Sequence, residues 1–225
     1  DAADWCLAGR LLSELGEFAQ ARGAFENCIQ RAQHHVEARY ELGRALYKLG
    51  DIERAASLIE QIAEESGHVE MWMGLATLAP AVPSFSHQRV RRIREKFAAI
   101  VRRAEIPKVD SQRNPSQRKS STDTLKLGYL SAHWHEANYM KPVWPLIHTH
   151  DRKKFEIHLF DDGEPNSTPW HWLSSPAQTH RLHGLSNARA AEVIQHTQLD
   201  ILVDLSAYSK PERLGLFVHR PAPVQ

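Results

Sequence analysis

Leu15-Gly16-Glu17-Phe18 recurs 34 residues later as Leu49-Gly50-Asp51-Ile52, and this recurrence decides the fold of the first part of the chain. A period of 34 residues is typical of arrays in which each repeat is a pair of antiparallel helices. The match extends to both sides of the quoted stretch and pairs Gly9 with Gly43, Leu12 with Leu46, Ala21 with Ala55, and Phe25 with Ile59.

These are the positions that a tetratricopeptide repeat (TPR) needs. The first glycine lets one helix approach the next, Leu-Gly forms the turn, the alanine permits a close crossing, and Phe or Ile fills the gap. A third helix over Val69–Leu78 follows as the start of a partial repeat. We therefore predict TPR repeats over residues 1–78, with a concave surface that binds a protein partner or substrate chain. Because about three or more repeats are needed for stability, we expect further repeats before Asp1.

A connecting segment follows the repeats. Prolines at 80 and 83 interrupt the helical pattern, and residues 86–103 then place apolar side chains on one helical face and arginines on the others. This predicts a basic amphipathic helix within residues 79–106. Its charge also fits nucleic acid or a phosphate ligand, but solvated arginines at a domain junction are the commoner case. Residues 107–124 are polar and aperiodic, which predicts a flexible linker and a domain boundary.

From Leu125 the pattern changes to alternating strands and helices. Alternation of this kind is typical of βαβ units and a parallel sheet, so we predict an α/β lobe over residues 125–225. Ser186 is the expected N-cap of a helix over Asn187–Gln195. Ligands of parallel sheets bind beyond the carboxyl ends of the strands. The predicted strands are Leu125–Ser131, Phe155–Asp161, Thr179–His183 and Asp200–Ser206.

Composition limits the class of protein. The 28 Lys and Arg residues nearly balance the 27 Asp and Glu residues, which gives no global signal for nucleic acid or an anionic membrane. No apolar stretch approaches the roughly 20 residues that span a bilayer, and the acidic start is unlike a signal peptide. We therefore expect a cytoplasmic protein with neither nucleic-acid nor membrane partners. The two cysteines, Cys6 and Cys28, lie in helical patterns and are expected to be buried core residues.

Four segments of the lobe together resemble the first catalytic lobe of the O-GlcNAc transferase and SPINDLY family. Order and spacing hold over about a hundred residues, and repeats upstream of such a lobe are the same architecture. The resemblance implies a GT-B fold, two Rossmann-like lobes facing a cleft, with the nucleotide-sugar bound by a second lobe that we expect beyond Gln225. The four segments are Leu127–Ser131, Asp151–Phe160, Ala190–Lys210 and the ending Leu216-Phe217-Val218-His219-Arg220-Pro221-Ala222-Pro223-Val224-Gln225.

The loop after the first strand is the predicted catalytic site. The family's loop reads approximately Ser-x-Asp-Phe-x-x-His, which places His133 of this sequence on the family's Asp and Ala137 on its His. His133 and His135 are therefore the candidate catalytic residues, since a neutral imidazole can orient or deprotonate an acceptor hydroxyl. His133-x-His135 also resembles the metal motif of barrel amidohydrolases, but the chain lacks the βα units of such a barrel. The other histidines show no metal-ligand spacing and are expected to be surface or packing residues; they include His148, His150, His158, His180 and His183. No metal or cofactor is expected.

Three further residues are predicted to bind substrate. Tyr208-Ser209-Lys210 follows the fourth strand and matches a family Gly-Tyr-Thr-Lys stretch, with Ala207 in place of the glycine. Tyr208 and Lys210 are expected to line the cleft. Arg220 precedes the Pro-Ala-Pro ending and is a candidate for binding a phosphate group. The alternative is that it forms a salt bridge between the two lobes.

Two functions remain open at this point. The resemblance implies an enzyme that transfers a sugar, GlcNAc or fucose, from a UDP- or GDP-sugar to Ser or Thr of proteins. The alternative is a TPR-based protein-binding adaptor with an impaired transferase lobe, which the alanine at position 137 encourages.

Overall fold

The computed structural model describes residues 1–105, 124–165 and 177–225. The chain consists of two compact units, Asp1–Ile100 and Val101–Gln225. The predicted linker at 107–124 lies outside the described residues except for Thr124. No helix in the described ranges is long and apolar enough to span a bilayer.

The first unit is built from antiparallel helix pairs, as the 34-residue period predicts. Each predicted Leu-Gly turn places its glycine in the left-handed region, with φ of 79° at Gly16 and 84° at Gly50, where a Cβ is unfavourable. The third predicted helix is present with its predicted bounds. The helices are α1 (Ala2–Glu14), α2 (Phe18–Arg31), α3 (Val36–Lys48), α4 (Ile52–Ser66) and α5 (Val69–Leu78).

Two small residues on α1 and α3 explain how closely the helices of a pair pack. A Cβ on Gly9 would lie 2.5 Å from the Phe25 ring, and a Cβ on Gly43 would lie 2.7 Å from Cγ1 of Ile59. The large side chain of each repeat thus occupies the space left by the missing Cβ of the glycine, which confirms the roles predicted for both positions.

The basic helix α6 (His87–Ala104) begins and ends one residue later than the predicted helix. Its apolar face buries Ile93 and Phe97. Two of its cations pair with α4: Arg89 lies 2.6 Å from Glu60, and Lys96 lies 2.6 Å from Glu64. These partly exposed pairs contribute little to stability, so the buried apolar face is what fixes the helix.

The second unit contains a parallel four-stranded sheet with the order β3-β2-β1-β4. The first two strands have their predicted bounds. The last strand is shorter than predicted because the Asp204 carboxylate accepts hydrogen bonds from Ser206 N and Ala207 N at 2.9 and 3.1 Å and turns the chain. The strands are β1 (Leu125–Ser131), β2 (Phe155–Asp161), β3 (Gln178–Arg181) and β4 (Ile201–Asp204).

Apolar side chains cover both faces of the sheet. Tyr129 and Leu159 face one core, which contains two tryptophans, whereas Leu130 and Phe160 face the other. Burial on both faces is why β1 and β2 are largely apolar in sequence. Ser186 caps its helix as predicted, with Oγ accepting from Arg189 N at 3.3 Å. The α-helices of this unit are α7 (Ala137–Met140), α8 (Val143–Thr149) and α9 (Asn187–Thr197), and it also contains 3-10 helices over Ala207–Ser209 and Pro211–His219. The first unit has one further 3-10 helix among its described residues, Ala79–Ala81.

Candidate active site

The strand order places a topological switch point beside β1, at the carboxyl edge of the sheet. From β1 the chain continues to β2 and β3 on one side, and β4 returns to the other side of β1. The loops after β1 and β4 therefore diverge on either side of a topological switch point, where open α/β sheets bind ligands. Both predicted site segments, the histidine loop and the stretch around Tyr208, lie in these two loops.

His133 connects the two loops. Its Nδ1 lies 2.5 Å from Oε1 of Glu136, and its Nε2 lies 2.8 Å from Oγ of Ser209. The imidazole is 19% exposed. A partly exposed imidazole at this position is accessible to a ligand while both nitrogens are already oriented.

Hydrogen-bond chemistry assigns the protons of this network. A carboxylate is only an acceptor, so Nδ1 of His133 carries the hydrogen that Glu136 accepts. In the neutral imidazole Nε2 is then the lone-pair nitrogen, and it faces the Ser209 hydroxyl. Ser209 has a second partner, because its Oγ lies 2.6 Å from Ser206 O and can donate there instead. In this arrangement the Glu136 carboxylate fixes the tautomer of His133, and the lone-pair nitrogen of the imidazole faces a hydroxyl group.

Backbone and side-chain contacts hold the histidine loop in place. Ala132 N donates to Ser206 Oγ and His133 N donates to Ser131 Oγ, each at 2.9 Å. The Tyr139 ring lies 4.5 Å from the His133 ring, and its hydroxyl donates to Leu205 O at 2.6 Å. The loop after β1 is thus tied to the end of β4 at several points, which keeps the His133 ring in one orientation.

The loop after β4 contains a backbone conformation that disfavours its residue. Ala207 has φ of 44°, in the left-handed region that costs a residue with a Cβ about 1–2 kcal/mol. A glycine, which the related stretch carries here, adopts this conformation without that cost. The half-buried Tyr208 and Lys210 follow directly.

Beneath this loop lies a buried ion cluster centred on Asp162. The Asp162 carboxylate is 1% exposed and makes a bidentate pair with Arg213, with distances of 2.8 Å from Nε and 2.6 Å from the terminal nitrogen. Lys210 Nζ donates to Asp162 O at 2.5 Å and lies 3.4 Å from its carboxylate. The cluster joins the end of β2 to the loop after β4, and it directs the Lys210 ammonium towards Asp162.

The structure brings some of the predicted site residues together. His133 contacts Ser209, which lies between Tyr208 and Lys210, and the half-buried His135 lies two residues further along its loop. Arg220 is exposed and ends the Pro211–His219 helix, with φ of 46°. The roles predicted for all five stay predictions.

Sequence reasoning missed the partners of these residues. Glu136 could have been found from its spacing, because it lies three residues after His133 in one turn. Ser209 was part of the quoted stretch, but a contact across 76 residues leaves no local signal. Asp162 follows a predicted strand directly, but no residue near it in the sequence indicates a buried ion pair. Arg213 gave no signal at all.

A second histidine cluster lies in the sheet and has a structural explanation. His158 on β2 lies 2.9 Å from Glu156 and 3.0 Å from His180. Burial and the neighbouring His158 lower the pKa of His180. This cluster packs against Phe160, which agrees with the packing role expected for these histidines.

Comparisons with known proteins cover both parts of the chain. Residues 80–225 match the profile of Glycosyl transferase family 41, and residues 12–78 match a Tetratricopeptide repeat profile. The "Probable UDP-N-acetylglucosamine--peptide N-acetylglucosaminyltransferase SEC" of Arabidopsis thaliana is 24% identical over 113 residues, which are 49% of this chain and 12% of that protein. An O-GlcNAc transferase mutant from Thermobaculum terrenum superposes with a TM-score of 0.77 at 22% identity, over 100% of this chain and 43% of that chain.

The structural match confirms the predicted fold class. TPR repeats followed by a Rossmann-like parallel-sheet lobe, the first half of a GT-B fold, superpose over the whole chain. At this identity the likeness shows the fold alone. The chain spans less than half the length of either relative.

Proposed function

This chain belongs to Glycosyl transferase family 41, and from that premise we propose that it is part of an enzyme that transfers GlcNAc from UDP-GlcNAc to Ser or Thr hydroxyls of proteins. The family membership agrees with the resemblance found in the sequence. The donor sugar and the acceptor are the finer part of the proposal, and the relative from Arabidopsis thaliana, named for UDP-N-acetylglucosamine and peptide, supports both.

The main support for the proposal is that the His133 imidazole already contacts a hydroxyl group. Ser209 Oγ is 2.8 Å from Nε2 of His133, the distance at which a general base takes a proton from a hydroxyl. We propose that the acceptor Ser or Thr replaces this contact. Ser209 can release it without becoming unpaired, because its hydroxyl retains Ser206 O at 2.6 Å.

The chemistry of this chain then has two parts. Glu136 keeps the hydrogen on Nδ1, so that Nε2 of His133 receives the acceptor proton as the hydroxyl oxygen attacks the anomeric carbon. As the imidazole becomes positive, the Glu136 carboxylate stabilises it. The nucleoside diphosphate leaves with the electron pair of the broken glycosidic bond.

Binding is assigned to the remaining predicted residues. Tyr208 and Lys210, in the loop beside His133, are proposed to contact the acceptor or the sugar, and Arg220 a phosphate. The nucleotide-sugar is proposed to bind a second lobe that is outside this chain. The TPR repeats are proposed to bind the protein substrate, since stacked repeats present an extended surface for a partner chain.

The test is a transfer assay on the protein expressed from its complete gene. Labelled UDP-GlcNAc and a Ser/Thr peptide are incubated with the wild type and with His133→Asn, Glu136→Gln, His135→Asn and Ser209→Ala variants, and GDP-fucose is assayed in parallel. We expect His133→Asn to lower kcat by about 10²–10⁴-fold, the usual contribution of a positioned general base. Glu136→Gln should also lower kcat, because an amide can hold the wrong tautomer. Ser209→Ala should leave kcat unchanged.

The alternatives are separate outcomes. Full activity of the His133→Asn variant at unchanged acceptor KM would exclude the imidazole as the base, and a stronger loss for His135→Asn would move that role two residues along. Transfer of fucose instead of GlcNAc would correct the donor. Absence of transfer from either donor by folded wild-type protein, with binding of a partner to the repeats, would favour the adaptor.

A further inference from the structure

The first repeat brings three metal-binding side chains to one place. Cys6 is on α1, Cys28 is on α2, and His35 is the N-cap of α3. The two sulfur atoms and an imidazole nitrogen lie within 4.8 Å of one another. Cys6 is 5% exposed and Cys28 is completely buried, both as free thiols.

The next repeat is an internal control for this cluster. In the next repeat Tyr40 and Ile62 take the places of Cys6 and Cys28, 34 residues on, while the N-cap of α5 is again a histidine, His68. The helices there pack with an aromatic and a β-branched side chain instead of the two thiols. Packing alone therefore does not require two thiols at these places.

We propose that Cys6, Cys28 and His35 form a binding site for a thiophilic d¹⁰ cation, Zn²⁺ in the first instance. Two thiolates and a neutral imidazole neutralise a divalent cation, which suits a buried site. Zinc accepts two Cys ligands, one His ligand and a water. Bonds of about 2.3 Å to sulfur and 2.0 Å to nitrogen place the ligand atoms of a tetrahedral site roughly 3.3–3.8 Å apart, so side-chain movements of an ångström or so close the site.

Proton release is part of the binding reaction. Zinc binds the thiolate form of cysteine, so a free thiol has to lose its proton to become a ligand. Zn²⁺ therefore displaces one proton from each thiol, and two protons pass to the buffer for each ion bound.

His35 has to exchange one role for another. Its Nδ1 accepts a hydrogen bond from Ala38 N at 3.2 Å and so caps α3. A neutral imidazole has a single lone-pair nitrogen, so a His35 that ligates a cation cannot also accept from Ala38 N. Metal binding through His35 consequently breaks the cap, which gives a signature that purely structural thiols do not have.

The experiment uses the full chain, reduced and freed of metal with a chelator. Zn²⁺ is titrated by calorimetry in two buffers of different ionisation enthalpy, and Co²⁺ serves as a spectroscopic probe. We expect one ion per chain, about two protons released, and the visible and charge-transfer bands of tetrahedral thiolate-bound cobalt. Hydrogen exchange at the Ala38 amide should become faster when Zn²⁺ is bound.

Matched variants separate ligation from folding. His35→Asn preserves a capping side chain and removes the imidazole, while His34→Asn changes the exposed neighbour. Cys6→Ala and Cys28→Ala remove the thiols. Each change at the cluster should weaken Zn²⁺ binding by at least the ~10–100-fold that the loss of an outer-shell partner costs a zinc site, and His34→Asn should not. Octahedral cobalt, fewer than one ion per chain at micromolar concentrations, or unchanged affinity in the cluster variants would overturn the proposal.

Discussion

Replacing Arg213 with methionine tests the ion cluster that supports the candidate site. The variant removes both contacts to a carboxylate that is 1% exposed. Breaking a buried pair by removing one partner costs about 3–5 kcal/mol. Lys210, 20% exposed, still lies 3.4 Å from Asp162 and can compensate part of the loss, so we take about 2–3 kcal/mol.

The assay is differential scanning calorimetry of the chain, followed through the transition of the second unit. For a domain of about 100 residues, 1 kcal/mol corresponds to roughly 4–8 °C in Tm, so Arg213→Met should lower this transition by about 10–20 °C. Arg189→Met is the control, because its pair with Glu192 is 63% and 32% exposed and should contribute under about 1 kcal/mol. A matched double variant, Arg213→Met with Asp162→Leu, should recover most of the loss. If Arg213→Met and Arg189→Met shift the transition equally, the reasoning about burial is refuted.

Three further predictions concern the backbone, the repeat packing and the histidine cluster. Ala207→Gly should stabilise the second unit by about 0.5–1 kcal/mol because φ is 44°, and a lower urea midpoint would contradict this. Gly43→Ala should cost about 1–3 kcal/mol against Ile59, 2.7 Å away, whereas Gly23→Ala, with nothing within 4 Å, should gain up to about 1 kcal/mol in thermal unfolding. The lowered pKa of His180 means full stability above the unfolded pKa of about 6.5 and a loss below it, because the unfolded chain binds the proton first. Urea unfolding at pH 7.5 and 5 should show this, and His180→Gln should reduce the difference.

Local patterns predicted most of the fold. The 34-residue period located the helix pairs, and Ser186 located the start of α9, because each depends on residues close in sequence. The predicted end of β4 was wrong by two residues. There the side chain of Asp204 accepts hydrogen bonds from the backbone just beyond it, and such bonds offer the backbone an alternative to the strand.

The sequence predicted the loops that form the candidate site but not the partners of the residues in them. Strand ends of a parallel sheet identify the loops that carry function, which is how His133 and Tyr208 were chosen. The identity of their partners depends on which loops meet in space. His133 with Ser209, and Asp162 with Arg213, are 76 and 51 residues apart, and such contacts follow from topology and packing, not from any local preference. Cys6, Cys28 and His35 were unrecognised as a set for the same reason.

The central place of β1 also has a consequence for how the chain is synthesised. β1 can pair with β2 soon after translation, but its other neighbour, β4, lies about 74 residues further along, as the Leu127–Ile201 register shows. The TPR helices pair with their immediate successors and can fold as they leave the ribosome. The sheet of the second unit cannot be completed at that stage, because one edge of the apolar strand β1 stays unpaired until β4 is synthesised. Nascent chains paused before residue 201 should therefore carry folded repeats beside a chaperone-binding, aggregation-prone β1.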